Sequence, residues 1–244
     1  MEALYGILWQ ELIIFKRKFW STTIGAMVSP TLYLIAFGWG LGSGMQVEGK
    51  SYMNFVIPGI IAMNTMVVSF SNTANSINIS RIYYKTFEEF MVAPLNMTVY
   101  ALGKIIAGAF YGAYSAFLII SIVSIFGSGL TITPYFLSIA LLNCFVFSAG
   151  GFLAGLVINS HADMSKFNNF VITPMSFLCG TFFPIDKMPA GIKYFIHMLP
   201  LTHTSIALRS VGEDMVHMLL HIAVLLLYFA VLFIAGSRYC KNVE

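Results

Sequence analysis

The sequence predicts an all-α membrane protein of six transmembrane helices, with an N-terminal interfacial helix and re-entrant helices between spans five and six. Two observations carry this prediction. First, 58% of the 244 residues are hydrophobic and 9% are charged, whereas soluble domains carry about 25% charged residues. Second, the apolar residues form runs long enough to cross a hydrocarbon layer of about 30 Å. We expect residues 1–244 to form one domain.

Residues 3–19 are predicted to form an amphipathic helix that lies flat in the headgroup region. Large apolar side chains recur on one helical face at Leu4, Leu8, Leu12, Phe15 and Phe19. Basic residues end the segment, which is typical of an interfacial helix. An N-terminal extension of the first span is the alternative. No basic stretch precedes an apolar one here, so we expect no cleavable signal peptide.

Six apolar stretches are predicted to cross the membrane, at residues 21–42, 54–79, 99–126, 135–158, 167–183 and 215–235. The first has 22 residues, which extend about 33 Å as a helix. Pro174 interrupts span five, and Lys104, near the start of span three, is expected to extend its charge outward to the interface. Small residues at the spacing that lets helices approach closely are Gly108 with Gly112 and Gly151 with Gly155.

Six spans place both termini on the same side of the membrane, and the distribution of positive charge predicts which side. Nine of the 13 lysines and arginines lie on the side of the termini and four on the other. The nine are Lys16, Arg17, Lys18, Arg81, Lys85, Lys104, Lys166, Arg238 and Lys241. We therefore expect a multi-pass protein of the cytoplasmic membrane with both termini in the cytoplasm.

Span two is unusually polar for a membrane helix, with Asn64, Ser71, Asn75 and Asn78 on one helical face. Amides and hydroxyls within a membrane are costly unless they are paired or face a cavity. Hydrogen bonding to neighbouring helices and the lining of a cavity both stay open. No predicted span carries Asp, Glu, Lys or Arg at its middle, although proton- and sodium-coupled carriers use such groups. The energy for any transport is therefore expected to come from outside this chain.

Motifs that could carry chemistry are rejected on their context. Residues 44–51 match the phosphate-binding pattern G-x-x-x-x-G-K-[ST], but a predicted membrane helix precedes them where a buried strand is required. His217 and His221 have a metal-binding spacing without a third ligand, so we expect no metal. No Ser/His/Asp or Cys/His set can assemble on one side of the membrane, so no catalytic residue and no enzyme activity are expected. Without a basic patch that includes aromatic residues, nucleic-acid binding is not expected either.

The loop after span two, residues 81–94, is predicted to form a short amphipathic helix. Its apolar stripe would be Tyr83, Phe87, Phe90 and Met91, and its charged stripe Arg81, Lys85, Glu88 and Glu89, before Pro94 stops it. Such a helix suits docking into a groove of a cytoplasmic partner. An interfacial helix without a partner is the alternative.

A second unusual segment, residues 177–209, mixes apolar residues with prolines. It contains Gly180-Thr181-Phe182-Phe183-Pro184, then Met188-Pro189, then Leu199-Pro200-Leu201-Thr202-His203, and finally Arg209. The segment is too interrupted for one spanning helix and too apolar for an ordinary aqueous loop. We interpret residues 184–209 as a re-entrant segment at the outer side of the membrane.

With these features the chain resembles the transmembrane subunit of a type-2 ATP-binding-cassette (ABC) exporter, in the style of drug-efflux, nodulation-factor and polysaccharide-exporter members. Three features carry the resemblance: the interfacial helix before six spans, residues 85–95 followed by Gly103-Lys104, and the pattern over residues 180–209. Together they cover nearly the whole chain.

The resemblance implies an ATP-driven permease that exports an amphiphile, such as a drug, a lipid or a lipid-linked glycan. The implied partners are two ABC ATP-binding subunits and a second permease copy, in a homodimer or a heterodimer with a like subunit, within membrane lipid. ATP and Mg²⁺ would bind to the ATP-binding subunits, so no cofactor is expected in this chain. An ATP-independent lipid scramblase or channel is the alternative.

The candidate site residues fall into three groups. Coupling to the ATPase is assigned to Arg81, Lys85, Phe87, Glu88, Glu89 and Pro94. The substrate pathway is assigned to Asn64, Ser71 and Asn75 of span two with Phe170 and Phe177 of span five. The outer gate is assigned to Phe182, Phe183, Pro184, Pro189 and Pro200. The resemblance implies that spans one, two and five line the pathway at the interface between two copies.

Overall fold

The first part of the chain contains an N-terminal helix and four long helices. The computed structural model describes residues 2–42, 44–47, 50–92, 95–125, 132–212 and 214–242. Helix α1 comprises Glu2–Arg17 and α2 Phe19–Tyr33, which continues as π-helical turns over Leu34–Leu41. A small antiparallel hairpin pairs β1 (Gln46–Val47) with β2 (Lys50–Ser51). There follow α3 (Tyr52–Ile82), α4 (Thr86–Val92), α5 (Met97–Ile125) and α6 (Pro134–Val157).

The second half contains an interrupted helix, three short elements and a final long helix. Helix α7 (His161–Phe167), π-helical turns (Asn168–Ile172) and α8 (Thr173–Leu178) form one continuous helical stretch. A 3-10 turn (Ile185–Lys187), α9 (Ala190–His197) and α10 (Pro200–Arg209) follow, and α11 comprises Met215–Asn242.

Five helices of the described chain are long and apolar enough to cross a membrane. They are Phe19–Gly38, Tyr52–Ile82, Met97–Ile125, Pro134–Val157 and Met215–Lys241. These helices correspond to predicted spans one, two, three, four and six, so an all-α membrane protein is confirmed. The end predicted for span three, at residue 126, lies outside the described residues.

Span five differs from its predicted bounds of 167–183. The helical stretch begins six residues earlier, at His161, because the Ser160 hydroxyl accepts a hydrogen bond of 3.0 Å from the Asp163 amide and caps it. It ends at Leu178, and Gly180 then adopts a positive φ of 76° that turns the chain. Pro174 lies within this continuous stretch, at the beginning of α8 and directly after the π-helical turns.

The segment predicted to form one helix, residues 81–94, is divided between two helices in the structure. Helix α3 continues through Ile82, and Lys85 then takes a left-handed φ of 52° before α4 starts at Thr86. Arg81 therefore lies on α3. Its Nη1 donates a hydrogen bond of 2.9 Å to the Gly155 carbonyl and another to the Leu156 carbonyl, and so binds the end of α6. Pro94 lies outside the described residues.

Helix α1 is a separate element from α2, close to its predicted bounds of 3–19. It ends at Arg17, Lys18 is non-helical with φ −104° and ψ 14°, and α2 begins at Phe19. Helix α1 packs mainly against α5. Ile7 of α1 is buried there, and a Cβ on Gly103 of α5 would lie 2.8 Å from Cγ2 of Ile7. This close packing holds α1 against the bundle.

Helix α3 is the centre of the bundle. Its apolar stretch is 78% buried, whereas those of α2 and α11 are 22% and 17% buried, so α2 and α11 are peripheral. Helix α3 packs against α5, α6 and α10. Glycines allow the contact with α6: a Cβ on Gly151 would lie 2.5 Å from the Phe70 carbonyl oxygen, and one on Gly155 2.8 Å from Cβ of Ile77. The predicted close approach of helices at these glycines is confirmed.

The two ends of α3 have different surroundings. At its start, the Tyr52 hydroxyl donates a hydrogen bond of 3.0 Å to the Phe182 carbonyl. Near its end, Ile77 belongs to a hydrophobic cluster with Ile7, Phe87 and Cys240. Helices α1, α4 and α11 thus meet at one end of the bundle, which we call the α1 end. Residues 179–209 lie at the opposite end, which we call the hairpin end.

We expect Gly108→Val to lower the free energy of unfolding by about 1–3 kcal/mol, the usual effect of overpacking. A side chain here would collide with the Thr73 hydroxyl and lie 2.5 Å from that of Ser148, two groups that are hydrogen-bonded at 2.8 Å. Thermal unfolding in detergent measures the effect. Gly6→Ala is the matched control, because nothing lies within 4 Å of a Cβ at Gly6. Equal midpoints for the two variants would contradict the close approach of α5 to α3.

Candidate functional site

A polar cavity of about 640 Å³ opens at the α1 end, between α1, α2, α3 and α4. Helix α3 contributes Ser71, Asn72, Asn75 and Ser76 to its wall. These positions are neighbours on one side of a helix because residues three and four apart lie one above the other. Since the rest of α3 is largely buried among apolar side chains, this helix presents amides and hydroxyls to open space mainly at the cavity.

A buried ion pair forms part of the same wall. Lys104 Nζ lies 2.6 Å from Glu11 Oε1, with 6% and 7% of the two side chains exposed. Ser76 joins them, since its hydroxyl accepts from Lys104 at 3.3 Å and donates to Glu11 Oε1 at 3.4 Å. The predicted extension of Lys104 to the interface is wrong. Glu11 of α1 faces the bundle and supplies a counter-charge, which removes the need to reach water.

The polar face predicted on span two divides between packing and cavity. Ser71 and Asn75 line the cavity. Asn64 is buried and its amide donates a hydrogen bond to the Ser115 hydroxyl of α5. Asn78 is also buried and donates to the Ile158 carbonyl at 2.9 Å. Hydrogen bonding to neighbouring segments and the lining of a cavity therefore both occur, at different positions of α3.

The two phenylalanines assigned to the pathway lie away from this cavity. Phe170, in the π-helical turns, is 77% exposed, and the cavity wall does not include it. Phe177 belongs instead to an aromatic cluster at the hairpin end, with its ring centroid 6.1 Å from Tyr33 and 5.5 Å from Phe182. The residues assigned to the pathway are thus spread over both ends of the bundle.

Helix α4 divides into a buried and an exposed side. Phe87 is buried, and its ring lies 5.8 Å from Tyr100 of α5, which Phe90 also approaches at 5.1 Å. Glu88 and Glu89 are exposed on the other side. Lys85 is exposed before the helix, next to exposed Tyr83 and Tyr84. Thr86 and Phe90 also line the polar cavity, so α4 lies between the cavity and the surface.

Phe182 is the only member of the predicted outer gate that is fully buried in the described structure. Its ring lies 4.4 Å from Phe37 and 5.6 Å from Tyr33, between the centroids. Phe183 is exposed and Pro184 half-buried. The other two members are Pro189, which precedes α9, and Pro200, which occupies the first turn of α10 where a proline fits.

Arg209 links three segments at the hairpin end, a role that was not predicted from the sequence. Its Nε donates to the Phe55 carbonyl at 3.0 Å, and its Nη2 donates to the Gly180 and Thr181 carbonyls at 2.6 Å and 3.2 Å. The guanidinium lies 3.8 Å above the Phe55 ring. It therefore connects α10, the start of α3 and the turn after α8. In the sequence, this role is indicated by the position of Arg209 at the end of an apolar segment.

Two histidines connect α10 to α11 close to this point. Nδ1 of His203 lies 2.8 Å from Nδ1 of His221, and Nε2 of His203 lies 3.0 Å from the His197 carbonyl. His203 must donate through Nε2, so its Nδ1 accepts a hydrogen bond from His221. Burial lowers the pKa of His203 below its usual range. Within the described parts of the chain, no group of three or more His, Cys, Asp or Glu side chains is arranged to hold a metal.

A helical bundle with several helices long and apolar enough to cross a membrane and a polar cavity at one end suits a membrane transport protein. The chain belongs to the ABC-2 type transporter family, whose profile matches residues 2–212, and it is a transport permease subunit. The inner membrane transport permease YadH of Escherichia coli (strain K12) is 29% identical to it over 203 residues, which cover 82% of this chain and 79% of YadH.

Relatives with the name Nodulation protein J cover more of the chain. Nodulation protein J of Rhizobium meliloti (strain 1021) is 26% identical over 249 residues, which cover 96% of this chain and 94% of that protein. Nodulation protein J of Rhizobium leguminosarum bv. viciae is 26% identical over 239 residues, which cover 94% and 90%. The inner-membrane relative and the apolar helices support an integral protein of the inner membrane.

We expect Arg209→Ala to increase hydrogen exchange of residues 179–183, because the turn after α8 loses its charged donor. The loss corresponds to about 2 kcal/mol, the usual contribution of a hydrogen bond to a charged group. Arg209→Lys should not restore protection, since one ammonium cannot reach the carbonyls of both elements and lie flat on a ring. Arg238→Ala, at an exposed position of α11, is the control. Unchanged hydrogen exchange of these residues in Arg209→Ala would contradict the proposed role of Arg209 in linking the three segments.

Proposed function

We propose that this permease is the transmembrane subunit of an ATP-driven exporter that moves an amphiphile across or out of the cytoplasmic membrane. Permeases of this family normally work with an ABC ATP-binding subunit. The position of α4 carries the proposal. Glu88 and Glu89 are exposed on one side of this helix, while Thr86 and Phe90 line the polar cavity on the other. Movement imposed on the exposed side would change the shape of the cavity directly.

The proposed orientation places the α1 end in the cytoplasm. Residues near the two termini, Ile7 and Cys240, share one hydrophobic cluster, which supports an even number of crossings. Five long helices and the interrupted stretch from α7 to α8 make six. The larger share of lysine and arginine on the side of the termini then faces the cytoplasm. ATP and Mg²⁺ would bind to two partner subunits there, next to α4.

A second copy of the permease would cover the apolar faces of α2 and the α7–α8 stretch. Ile24, Val28 and Leu32 of α2 are all more than half exposed, and Phe170 is 77% exposed. Exposed apolar side chains in a membrane can face either lipid or a partner helix. We propose that these faces meet in a homodimer, with the pathway between the copies and residues 184–209 at its outer end. Phe182, packed on Phe37, would then close the outer gate.

Replacing both Glu88 and Glu89 with Ala is expected to reduce substrate-stimulated ATPase activity several-fold without unfolding the permease. Both side chains are exposed and outside the buried contacts of α4. Their removal should therefore weaken docking of the ATP-binding subunit, or its coupling to the permease, and leave the fold intact. The measurement compares co-purification of the ATP-binding subunit and ATPase activity in membranes. Asp186→Ala removes an exposed carboxylate at the hairpin end and serves as the control. Unchanged activity and assembly would remove α4 from the coupling role, and transport without any ATPase would favour a scramblase or channel.

Asn75→Leu and Asn64→Leu should separate transport from stability. Asn75 lines the cavity, so its loss should lower transport and leave thermal stability unchanged. Asn64 is buried against Ser115, so its loss leaves a buried hydroxyl unpaired and lowers stability by about 1–3 kcal/mol. Transport in reconstituted vesicles and unfolding in detergent are measured on the same preparations. Similar destabilisation by both variants would show that Asn75 only packs.

A further inference from the structure

Four of the five histidines of the chain lie at the hairpin end, where α9 and α10 meet α11. They are His197, His203, His217 and His221, and the fifth, His161, begins α7. His203 of α10 contacts both neighbouring helices. Its Nδ1 lies 2.8 Å from Nδ1 of His221 on α11, and its Nε2 lies 3.0 Å from the His197 carbonyl at the end of α9. One imidazole therefore joins three helices.

These contacts allow one arrangement of protons on His203. The His197 carbonyl is an acceptor, so Nε2 of His203 carries the hydrogen, and Nδ1 of the neutral ring accepts a hydrogen bond from Nδ1 of His221. A proton added to His221, at its Nε2, leaves this hydrogen bond in place. A proton added to His203 sets two N–H groups against each other. The pair can therefore hold one added proton, but not two, while α10 stays bound to α11.

The nearest titratable groups on α11 supply no counter-charge for a second proton. The ring centroid of His217 lies 6.0 Å from that of His221, and the ring of Tyr228 lies 6.4 Å from that of His203. The Asp214 carboxylate caps the start of α11, where it accepts a hydrogen bond of 3.1 Å from the His217 amide. Histidines close to one another oppose each other's protonation.

The other helices packed against α10 and α11 add little charge at this end. In α3, α5 and α6 the only Asp, Glu, Lys, Arg or His residues are Arg81 and Lys104, and both lie at the α1 end. Lys193 of α9 forms an ion pair with Asp186. Arg209, at the end of α10, binds backbone carbonyls. A doubly protonated pair would therefore remain uncompensated.

The pair is expected to open as the pH falls. Burial lowers the pKa of His203, whereas an exposed histidine has a pKa of about 6.5. The closed arrangement therefore has its full stability above about pH 6.5 and loses it as the pH falls towards the lower pKa of closed His203, since the open form binds the proton more readily. One such histidine lowers the ratio of closed to open forms by about tenfold between about pH 8 and about pH 5.

We propose that His203 and His221 form a pH-sensitive latch, which holds α10 against α11 and opens when the outer side of the membrane becomes acidic. Helix α10 has ten residues and ends at Arg209, which binds the start of α3 and the turn that precedes Phe182. Release of α10 at His203 therefore loosens the contacts behind the proposed outer gate. The compartment whose pH acts on the latch rests on the orientation proposed above, whereas the opening itself does not.

Hydrogen exchange of the full chain in phosphatidylcholine nanodiscs tests the latch, with EDTA present so that no metal bridges the histidines. Protection is compared at about pH 8 and about pH 5, the limits of ordinary histidine titration, after correction for the intrinsic exchange rates. Residues 196–205 should lose about tenfold in protection at the lower pH. Residues 105–112 of α5, which contain no histidine, are the internal reference and should not change. Unchanged protection of residues 196–205, or an equal loss in both segments, would overturn the proposal.

A pair of amides tests whether these two rings are the sensor. The double variant His203→Gln/His221→Asn keeps a donor and an acceptor at the contact but cannot be protonated. Its protection over residues 196–205 should therefore be equal at the two pH values. His161→Gln is the matched control, because His161 is exposed and begins α7, and it should retain the tenfold response. A full response in the double variant would reject His203 and His221 as the sensor.

Nuclear magnetic resonance of the unsubstituted chain makes a second test, which does not depend on the folding of any variant. With ¹⁵N-labelled histidine at about pH 8, the imidazole shifts should show one ring with its hydrogen on Nδ1, coupled through a hydrogen bond to the unprotonated Nδ1 of a second ring. This coupling should disappear at about pH 5. Rings that all carry hydrogen on Nε2 alone at the higher pH, or a coupling that persists at the lower pH, would contradict the latch.

The latch can be tested apart from the proposed function. The measurements use the permease alone, so they do not depend on an ATP-binding subunit or on a transported substrate. A pH response in a permease that fails to couple to an ATPase would support the latch and reject the exporter. ATPase coupling in a permease without the pH response would support the exporter and reject the latch.

Discussion

The central position of α3 depends on the pairing of its polar side chains. A helix that is 78% buried within a membrane bundle has no water to satisfy its amides and hydroxyls, and each unpaired group is costly. Asn64 and Thr73 meet hydroxyls on α5 and α6, and Asn78 meets a carbonyl at the end of α6. These contacts require the helices to approach closely, which the glycines of α5 and α6 permit.

The same constraint explains where the cavity lies. Ser71, Asn72 and Asn75 line the open space between α1, α2 and α4. Helix α1 bounds this space because Glu11 is held by Lys104. The ion pair therefore does more than satisfy two charges, since it adds a polar contact to the packing of α1 against α5. Buried pairs add little net stability but fix geometry in some systems, and here the geometry fixed is that of the cavity wall.

The helices that follow from local sequence patterns could be predicted from the sequence. Contacts between side chains and residues far away in the chain could not. The long apolar runs predicted five long helices, four of them within four residues of their bounds and the last with an end six residues too early, and the spacing of Gly151 and Gly155 predicted a real helix contact. Lys104 was misplaced because its partner, Glu11, is 93 residues away. Arg81 was assigned to α4 because no pattern shows that a helix continues through it to bind the end of α6. The roles of Glu11 and Arg209 depend wholly on such distant contacts.

The two ends of α3 suggest how a change at α4 could reach the hairpin end. The helix has 31 residues, which extend about 46 Å, and it is held at the start by Arg209 and near the end by the cluster of Phe87 and Ile77. A helix packed this closely moves as a rigid body more readily than it bends. Tilting it about its glycine contacts would open the cavity at one end while displacing Phe55, and with it Arg209 and the turn after α8, at the other. In that geometry the polar cavity and the aromatic contacts of Phe182 would change together, as the proposed exporter requires of its proposed inner site and outer gate.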